Sequence, residues 1–157
     1  MILVTTGANG APFDRLLSVV DRFEVGEEVV VQHGPSQLRP ARATWLGYVP
    51  FDELTELVSR ARVVVSHAGV GSILLCLSQG HSPVVVPRLA SHGEAVDDHQ
   101  LGFARRLAAA GSVTCVEDVH EIPVIVRSQR DRRTAVGSSA TSRLAADLNL
   151  YLDSVLS

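Results

Sequence analysis

Short runs of β-branched residues alternate along the chain with stretches whose apolar positions recur every three to four residues. Ile2 to Thr6 reads as a first strand. Phe13 to Phe23 follows as a helix, with Phe13, Leu16, Leu17 and Val20 on one face. Val29 to His33 predicts a second strand and Thr44 to Tyr48 a weaker third. Asp52 suits the N-cap of a helix carrying Leu54, Leu57 and Val58. Val63 to Ser66 is a fourth strand, and Gly71 to Gln79 a short apolar helix stopped by Gly80. Val84 to Val86 is a fifth strand ended by Pro87. Asp97 to Ala110 is a helix stopped by Gly111, and Val113 to Val116 a sixth strand. Runs such as Val63-Val64-Val65 are apolar on both faces, as strands are when helices cover both sides of a parallel sheet. The alternation therefore predicts one α/β domain over 1–157 with a doubly wound, mostly parallel, six-stranded Rossmann-like sheet. Ligands of such sheets bind beyond the carboxyl ends of the strands, where the strand order reverses.

The carboxyl-terminal stretch has a different texture. Arg127 to Arg143 is Ser-rich, contains Gly137 and carries five arginines against Asp131. Residues 127–139 are expected to form a flexible basic loop, either solvated or facing a partner or lipid surface. Residues 140–156 are expected to form a terminal helix, with Leu144, Leu148, Tyr151, Leu152 and Val155 along one face.

Composition narrows the chemistry. At 157 residues and 16.8 kDa the chain can bury one substantial core. Apolar residues make up 46% and mean hydropathy is +0.20, which excludes a disordered chain. Aromatics are only 4%, so stacking platforms for single-stranded nucleic acid are not expected, and a net charge of −3 argues against a general nucleic-acid binder. All 14 basic residues are arginine, which removes Schiff-base and phosphate-loop lysine chemistry. Cys76 and Cys115 lie in apolar runs without paired metal-ligand spacing and read as two buried thiols in a reducing compartment. No signal peptide is visible, and no apolar run reaches the roughly 18 residues of a membrane span.

Three loops at one edge of the expected sheet carry candidate chemistry. In Thr5-Thr6-Gly7-Ala8-Asn9-Gly10-Ala11-Pro12 a strand leads through glycines into a helix, so backbone amides can approach an anion; an empty tight turn is the bland alternative. Ser66-His67-Ala68-Gly69-Val70-Gly71-Ser72 repeats that arrangement. Here Ser72 can cap or donate, and His67 is either a ligand contact or structural. Pro87 to Gln100 contains Arg88, His92, Glu94, Asp97, Asp98, His99 and Gln100. Asp97 and Asp98 suit a first helical turn. The cluster matches no strong metal-ligand spacing, and its mixture of donors and acceptors fits a polyhydroxyl ligand better. Together the loops describe a site for an anionic nucleotide with a polar appendage.

The segment SHAGVGSILLCLSQGHSPVVVP followed by DDHQ resembles the C-terminal, donor-binding domain of glycosyltransferase family 28, one half of a GT-B fold. The start, ILVTTGANGAPFDRLL, resembles the small stand-alone donor-binding subunits of split N-acetylglucosaminyltransferases and their exopolysaccharide counterparts; the likeness runs from about Ile2 to Val116. The resemblance implies a UDP-sugar in the cleft edge. Gly7, Asn9 and Gly10 would face the phosphates or a partner domain, and Val49 and Phe51 would lie near the base. His67, Gly69, Gly71 and Ser72 would form the diphosphate loop, and Asp98, His99 and Gln100 would meet the sugar. Several family members place a Glu where this chain has Leu75, and Leu cannot accept hydrogen bonds from ribose, so either that role would pass to Glu94 or the donor would be held more loosely.

The resemblance further implies inverting transfer to a lipid-linked saccharide acceptor. Charge on the departing diphosphate would be met by amides, helix N-termini and Arg88, with no metal or other cofactor. One Rossmann-like domain is half of such an enzyme. The expected partner is a membrane-anchored subunit that binds the acceptor, supplies the base and brings this cytoplasmic chain to the membrane face. Two alternatives stand beside this reading. One is a non-catalytic nucleotide-binding module, which Leu75 favours; the other is one domain of a longer GT-B enzyme.

Overall fold

The valine runs do become the interior of a parallel sheet. A computed structural model of the chain describes residues 1–8 and 10–129. Six strands, β1 (Ile2–Thr5), β2 (Val29–Gln32), β3 (Thr44–Leu46), β4 (Val63–His67), β5 (Val84–Val86) and β6 (Thr114–Cys115), pair in parallel in the order β3-β2-β1-β4-β5-β6. Five helices accompany them: α1 (Asp14–Leu17), α2 (Phe51–Arg60), α3 (Val70–Ser78), α4 (His99–Ala109) and α5 (Ile122–Ser128).

The two-residue period of the strands splits the core into two layers. Ile2, Val4, Val29, Val31, Val63, Val65, Val84 and Val86 pack on one face with Phe13, Leu16, Phe23, Ile122 and Val126. On the other face Leu3, Val30 and Val64 meet Val58, Leu75 and Cys76 of α2 and α3, while Val85 meets Phe103 and Leu107 of α4. Both faces are dry, which is why the strands read as unbroken apolar runs.

Several elements depart from the sequence expectation. The helix expected over Phe13 to Phe23 shrinks to α1 and a 3-10 turn at Val20–Arg22. Ser18 Oγ donates to the Arg15 carbonyl (2.7 Å), competing with the helical ladder just before two β-branched residues. Asp52 is not the cap of α2. Pro50 is the capping residue and its carbonyl accepts the first helical bond from Leu54 N (2.9 Å), so Asp52 lies in the first turn, where the helix dipole favours it. The helix expected from Asp97 begins at His99. α5 has no counterpart in the sequence reading; its Pro123 occupies the first turn, where no N–H is required. Arg127 and Ser128 consequently end a helix rather than open a loop. The remaining basic stretch and the terminal helix expected over 140–156 lie outside the described residues.

Both cysteines are free thiols. Cys76 is buried, and burial pushes its pKa up to about 12, so it is inert; Cys115 is only partly buried, contrary to expectation.

Phe13 is fully buried at the junction of α1 and the sheet. Phe13→Ala is expected to cost about 3–5 kcal/mol, read as a lower denaturant midpoint at unchanged slope.

Candidate functional site

β1 is hydrogen-bonded to β2 on one side and to β4 on the other, so the strand order reverses at this point. Thr5 pairs with Ser66 across the reversal. The loops that leave β1 and β4 therefore emerge side by side at the carboxyl edge of the sheet, where a crevice opens in doubly wound folds.

His67 fills the gap between these two loops. A Cβ added to Gly7 would lie 2.8 Å from His67 Cε1 and 2.9 Å from Nε2, and one added to Gly69 would overlap Nε2 outright. Gly7 also has φ +84°, a conformation that disfavours any side chain. Glycine is thus required on both sides of the imidazole. Nδ1 of His67 is buried with no hydrogen-bond partner. Desolvation, reinforced by the positive charge of Arg88 and only partly opposed by the Thr5 backbone, lowers the His67 pKa to about 4. The ring is neutral at pH 7, with one nitrogen able to donate and one to accept.

Behind Gly69 lies the amino-terminus of α3. Its first helical bond runs from Ile73 N to Gly69 O (3.1 Å), so the amides of Val70, Gly71 and Ser72 precede the ladder, and no side chain caps them. Gly71 is exposed and a Cβ there would meet nothing within 4 Å. Orphan amides, the positive end of a helix and a buried neutral imidazole lie close together here, a combination suited to an anion.

The loop after β5 is folded by its own polar atoms. Asp98 Oδ1 accepts from Ala90 N (2.8 Å) and Gln100 Oε1 from Arg88 N (3.1 Å), which leaves Asp98 Oδ2 and Gln100 Nε2 without partners among the described residues. Asp97 Oδ1 accepts from His99 N (3.0 Å) and faces His99 Nδ1; these bonds hold the Asp97 carboxyl below its ordinary pKa. His99 itself is exposed.

Arg88 and Glu94 depart from the roles expected of them. Arg88 is 4% exposed, and its guanidinium donates to the carbonyls of Thr6 (2.8 Å), Ala11 (2.5 Å) and Glu94 (3.4 Å). Its guanidinium is buried and taken up by backbone carbonyls, so it is not free to meet a diphosphate as expected. Glu94 is 7% exposed and accepts from Arg15 Nε (2.8 Å), from an Arg15 terminal nitrogen (2.9 Å) and from Leu89 N (3.1 Å). With both oxygens engaged, it is not the free ribose acceptor that was expected. Leu75 belongs to the apolar layer with Leu3, Val58 and Val64, so it offers no polar contact either.

On the far side of the crevice, Val49 is buried while Phe51 is exposed. Asn9 lies outside the described residues. The structure thus brings Gly7, His67 and Gly69 together, and joins Gly10 to Arg88 and Arg88 to Gln100. Sequence reasoning missed Gln32. This buried side chain accepts from Thr5 Oγ1 (2.5 Å) and donates from Nε2 toward the carbonyls of Gly7 and Gly47 (3.4 Å each), tying the β1 loop to the segment that leads to Val49. Its only signal was a Gln ending a run of three valines.

Two outcomes follow from His67. Gly69→Ala should displace the imidazole and lower nucleotide affinity at least ten-fold in calorimetry, with far-ultraviolet dichroism unchanged. Because the folded-state pKa lies below the unfolded value near 6.5, the unfolded chain binds more protons between those values. The contribution of His67 to stability is complete above pH 6.5 and falls as pH drops toward 4; His67→Gln should flatten that part of the denaturation profile.

Residues 1–129 match the Glycosyltransferase family 28 C-terminal domain. The UDP-N-acetylglucosamine transferase subunit ALG13 of Yarrowia lipolytica is 32% identical over 122 residues, covering 68% of this chain and 60% of that protein. The present chain therefore spans well under two thirds of that relative's length. Among solved structures, the MurG of Acinetobacter baumannii superposes with a TM-score of 0.56 at 25% identity over 80% of this chain and 38% of its own. The glycotransferase of kitacinnamycin gives 0.62 at 19% identity over 98% and 39%. An NMR solution structure of ALG13 gives 0.58 at 17% identity over 91% and 93%. The sheet is thus the Rossmann-like half of a GT-B architecture, and on the match over residues 1–129 the chain belongs to the glycosyltransferase family 28 C-terminal domain family.

Proposed function

We propose that this chain is the UDP-sugar-binding subunit of a two-chain inverting glycosyltransferase that acts on a lipid-linked acceptor. The observation that carries the proposal is the convergence of the uncapped α3 amino-terminus with the Gly7 and Gly69 loops around the buried His67 ring at the strand-order reversal. The diphosphate would lie across the amides of Val70, Gly71 and Ser72, with neutral His67 beside it. Gly7 and Gly10 would close over it, Val49 and Phe51 would border the base, and Asp98, His99 and Gln100 would face the sugar.

In inverting transfer the bond from the anomeric carbon to the diphosphate oxygen breaks as the acceptor oxygen attacks from the opposite face. Negative charge grows on the departing diphosphate, and preorganised donors aimed at it are each worth ~3 kcal/mol of barrier. Backbone amides fill that role in a chain without lysine. The acceptor proton needs a base, which the proposal places on a membrane-anchored partner subunit together with the acceptor site. The name of the Yarrowia lipolytica relative, which describes a transferase subunit, supports that division. Among the described residues no helix is long and apolar enough to cross a membrane, so attachment would run through the partner. The buried Leu75 favours a second reading, a nucleotide-binding module without catalysis.

Calorimetry on the isolated chain should show UDP and UDP-N-acetylglucosamine binding at least ten-fold more tightly than GDP-mannose; equal or absent binding of all three removes the UDP-sugar assignment. Co-expressed with its membrane partner, the wild type should transfer sugar to a lipid-linked acceptor and Gln100→Ala should lose at least ten-fold. Nucleotide binding without transfer in the presence of the partner selects the non-catalytic reading.

A further inference from the structure

The loop after β5 and the glycine loop after β1 are 77 residues apart at their closest bonded pair, Arg88 and Ala11, yet they are joined by buried charge. Two terminal nitrogens of Arg88 reach two turns of the same loop: one donates to Thr6 O (2.8 Å), the other to Ala11 O (2.5 Å). The guanidinium carbon lies 4.7 Å from the centroid of the Phe13 ring, and that of Arg15 lies 5.3 Å from the same ring. Glu94 links the two arginines: its carboxylate accepts a forked pair from Arg15 and its carbonyl accepts from Arg88. Arg15 also donates to Pro87 O (2.9 Å), next to Arg88 in sequence.

A buried, forked cation bonded only to backbone carbonyls makes no direct contact with a ligand in the cleft. It holds Thr6 and Ala11 at a set separation, and Gly7, whose absent side chain admits His67, lies between them. A Cβ on Gly10 would lie 3.9 Å from the Arg88 guanidinium carbon, so Gly10 also sits against the fork. Lysine, a single compact ammonium, cannot bridge two carbonyls with separate planar donors. We propose that Arg88 is a positioning residue for the donor site: braced by Glu94 and Arg15, its guanidinium locks the Thr6–Ala11 loop in the form that receives the nucleotide. This inference rests on the donor-site reading above and deepens it.

The charge of Arg88 also reaches His67 and is one of the two influences holding the ring neutral. The Thr5 backbone, Gly7 and Gly69 also lie against the ring, and none of them is titratable. The imidazole thus reports on Arg88 without being bonded to it.

The test uses the full chain, isotope-labelled, as wild type, Arg88→Lys, Arg88→Met and Arg15→Met. Without nucleotide, the amide signals of Gly7 and Gly10 should move in all three variants, while those of Val126 and Leu107 stay in place. UDP, the probe, should bind at least ten-fold more weakly to both Arg88 variants and less tightly to Arg15→Met. The His67 ring should titrate closer to 6.5 in Arg88→Met than in Arg88→Lys, a readout that loss of packing alone would not split by charge. Folded Arg88 variants that keep the Gly7 and Gly10 signals in their wild-type positions, or bind UDP within two-fold of wild type, overturn the proposal. If Arg88→Met does not fold, Arg88→Lys and Arg15→Met decide by the same criteria. A wild type that fails to bind UDP sinks the donor-site reading instead, and the nucleotide-free amide signals still decide whether Arg88 locks the loop.

Discussion

β1 is flanked in parallel by β2 and β4, and everything at the site depends on that pairing. Two parallel neighbours on opposite sides of one strand force the chain to cross the sheet in opposite directions. The loops after β1 and β4 then have no strand or helix between them, and they face each other across a crevice. The close approach is feasible because each loop has a glycine at the contact, and a single imidazole fills the space both glycines leave. Side chains on either glycine would push the loops apart and expose the ring.

The crevice manages charge without lysine. The amides at the start of α3 point outward with no side chain to cap them, while the cation nearest the first glycine loop is buried and bonded to carbonyls. Arg88 and Arg15 against Glu94 leave a surplus of one positive charge beneath the loops. An anion in the crevice would feel that surplus across little intervening water. Desolvation, reinforced by the charge of Arg88, keeps His67 neutral. In the proposed site, two tasks that a phosphate-loop lysine combines would be divided: contact by backbone donors, and potential from a cation fixed behind them.

Polar side chains, buried at Gln32 and nearer the surface at Asp14 and Asp21, carry the remaining order. Gln32, at the end of an otherwise apolar strand, ties Thr5, Gly7 and Gly47 into one network. Asp14 accepts from the amides of Gln37 and Leu38, and Asp21 from those of Ala41 and Arg42, fixing a stretch without regular structure against α1. A buried amide such as Gln32 must find partners or lose stability, so it specifies a particular arrangement of loops.

Periodicity and turn chemistry, which act over a few residues, were readable along the chain. Short apolar runs, three of them valine runs, pointed to six parallel strands, Gly80 and Gly111 marked the ends of α3 and α4, and the paired glycine loops with the DDHQ block located the sheet edge and the family. The tertiary structure alone decided what depends on partners far away in sequence. It shortened α1, admitted α5 past Pro123, turned Arg88 inward and engaged Glu94 with Arg15, 79 residues away. An arginine or glutamate reads alike in sequence whether it faces a ligand or a carbonyl. Only the fold decides which partner lies within hydrogen-bonding reach, and burial makes that choice binding.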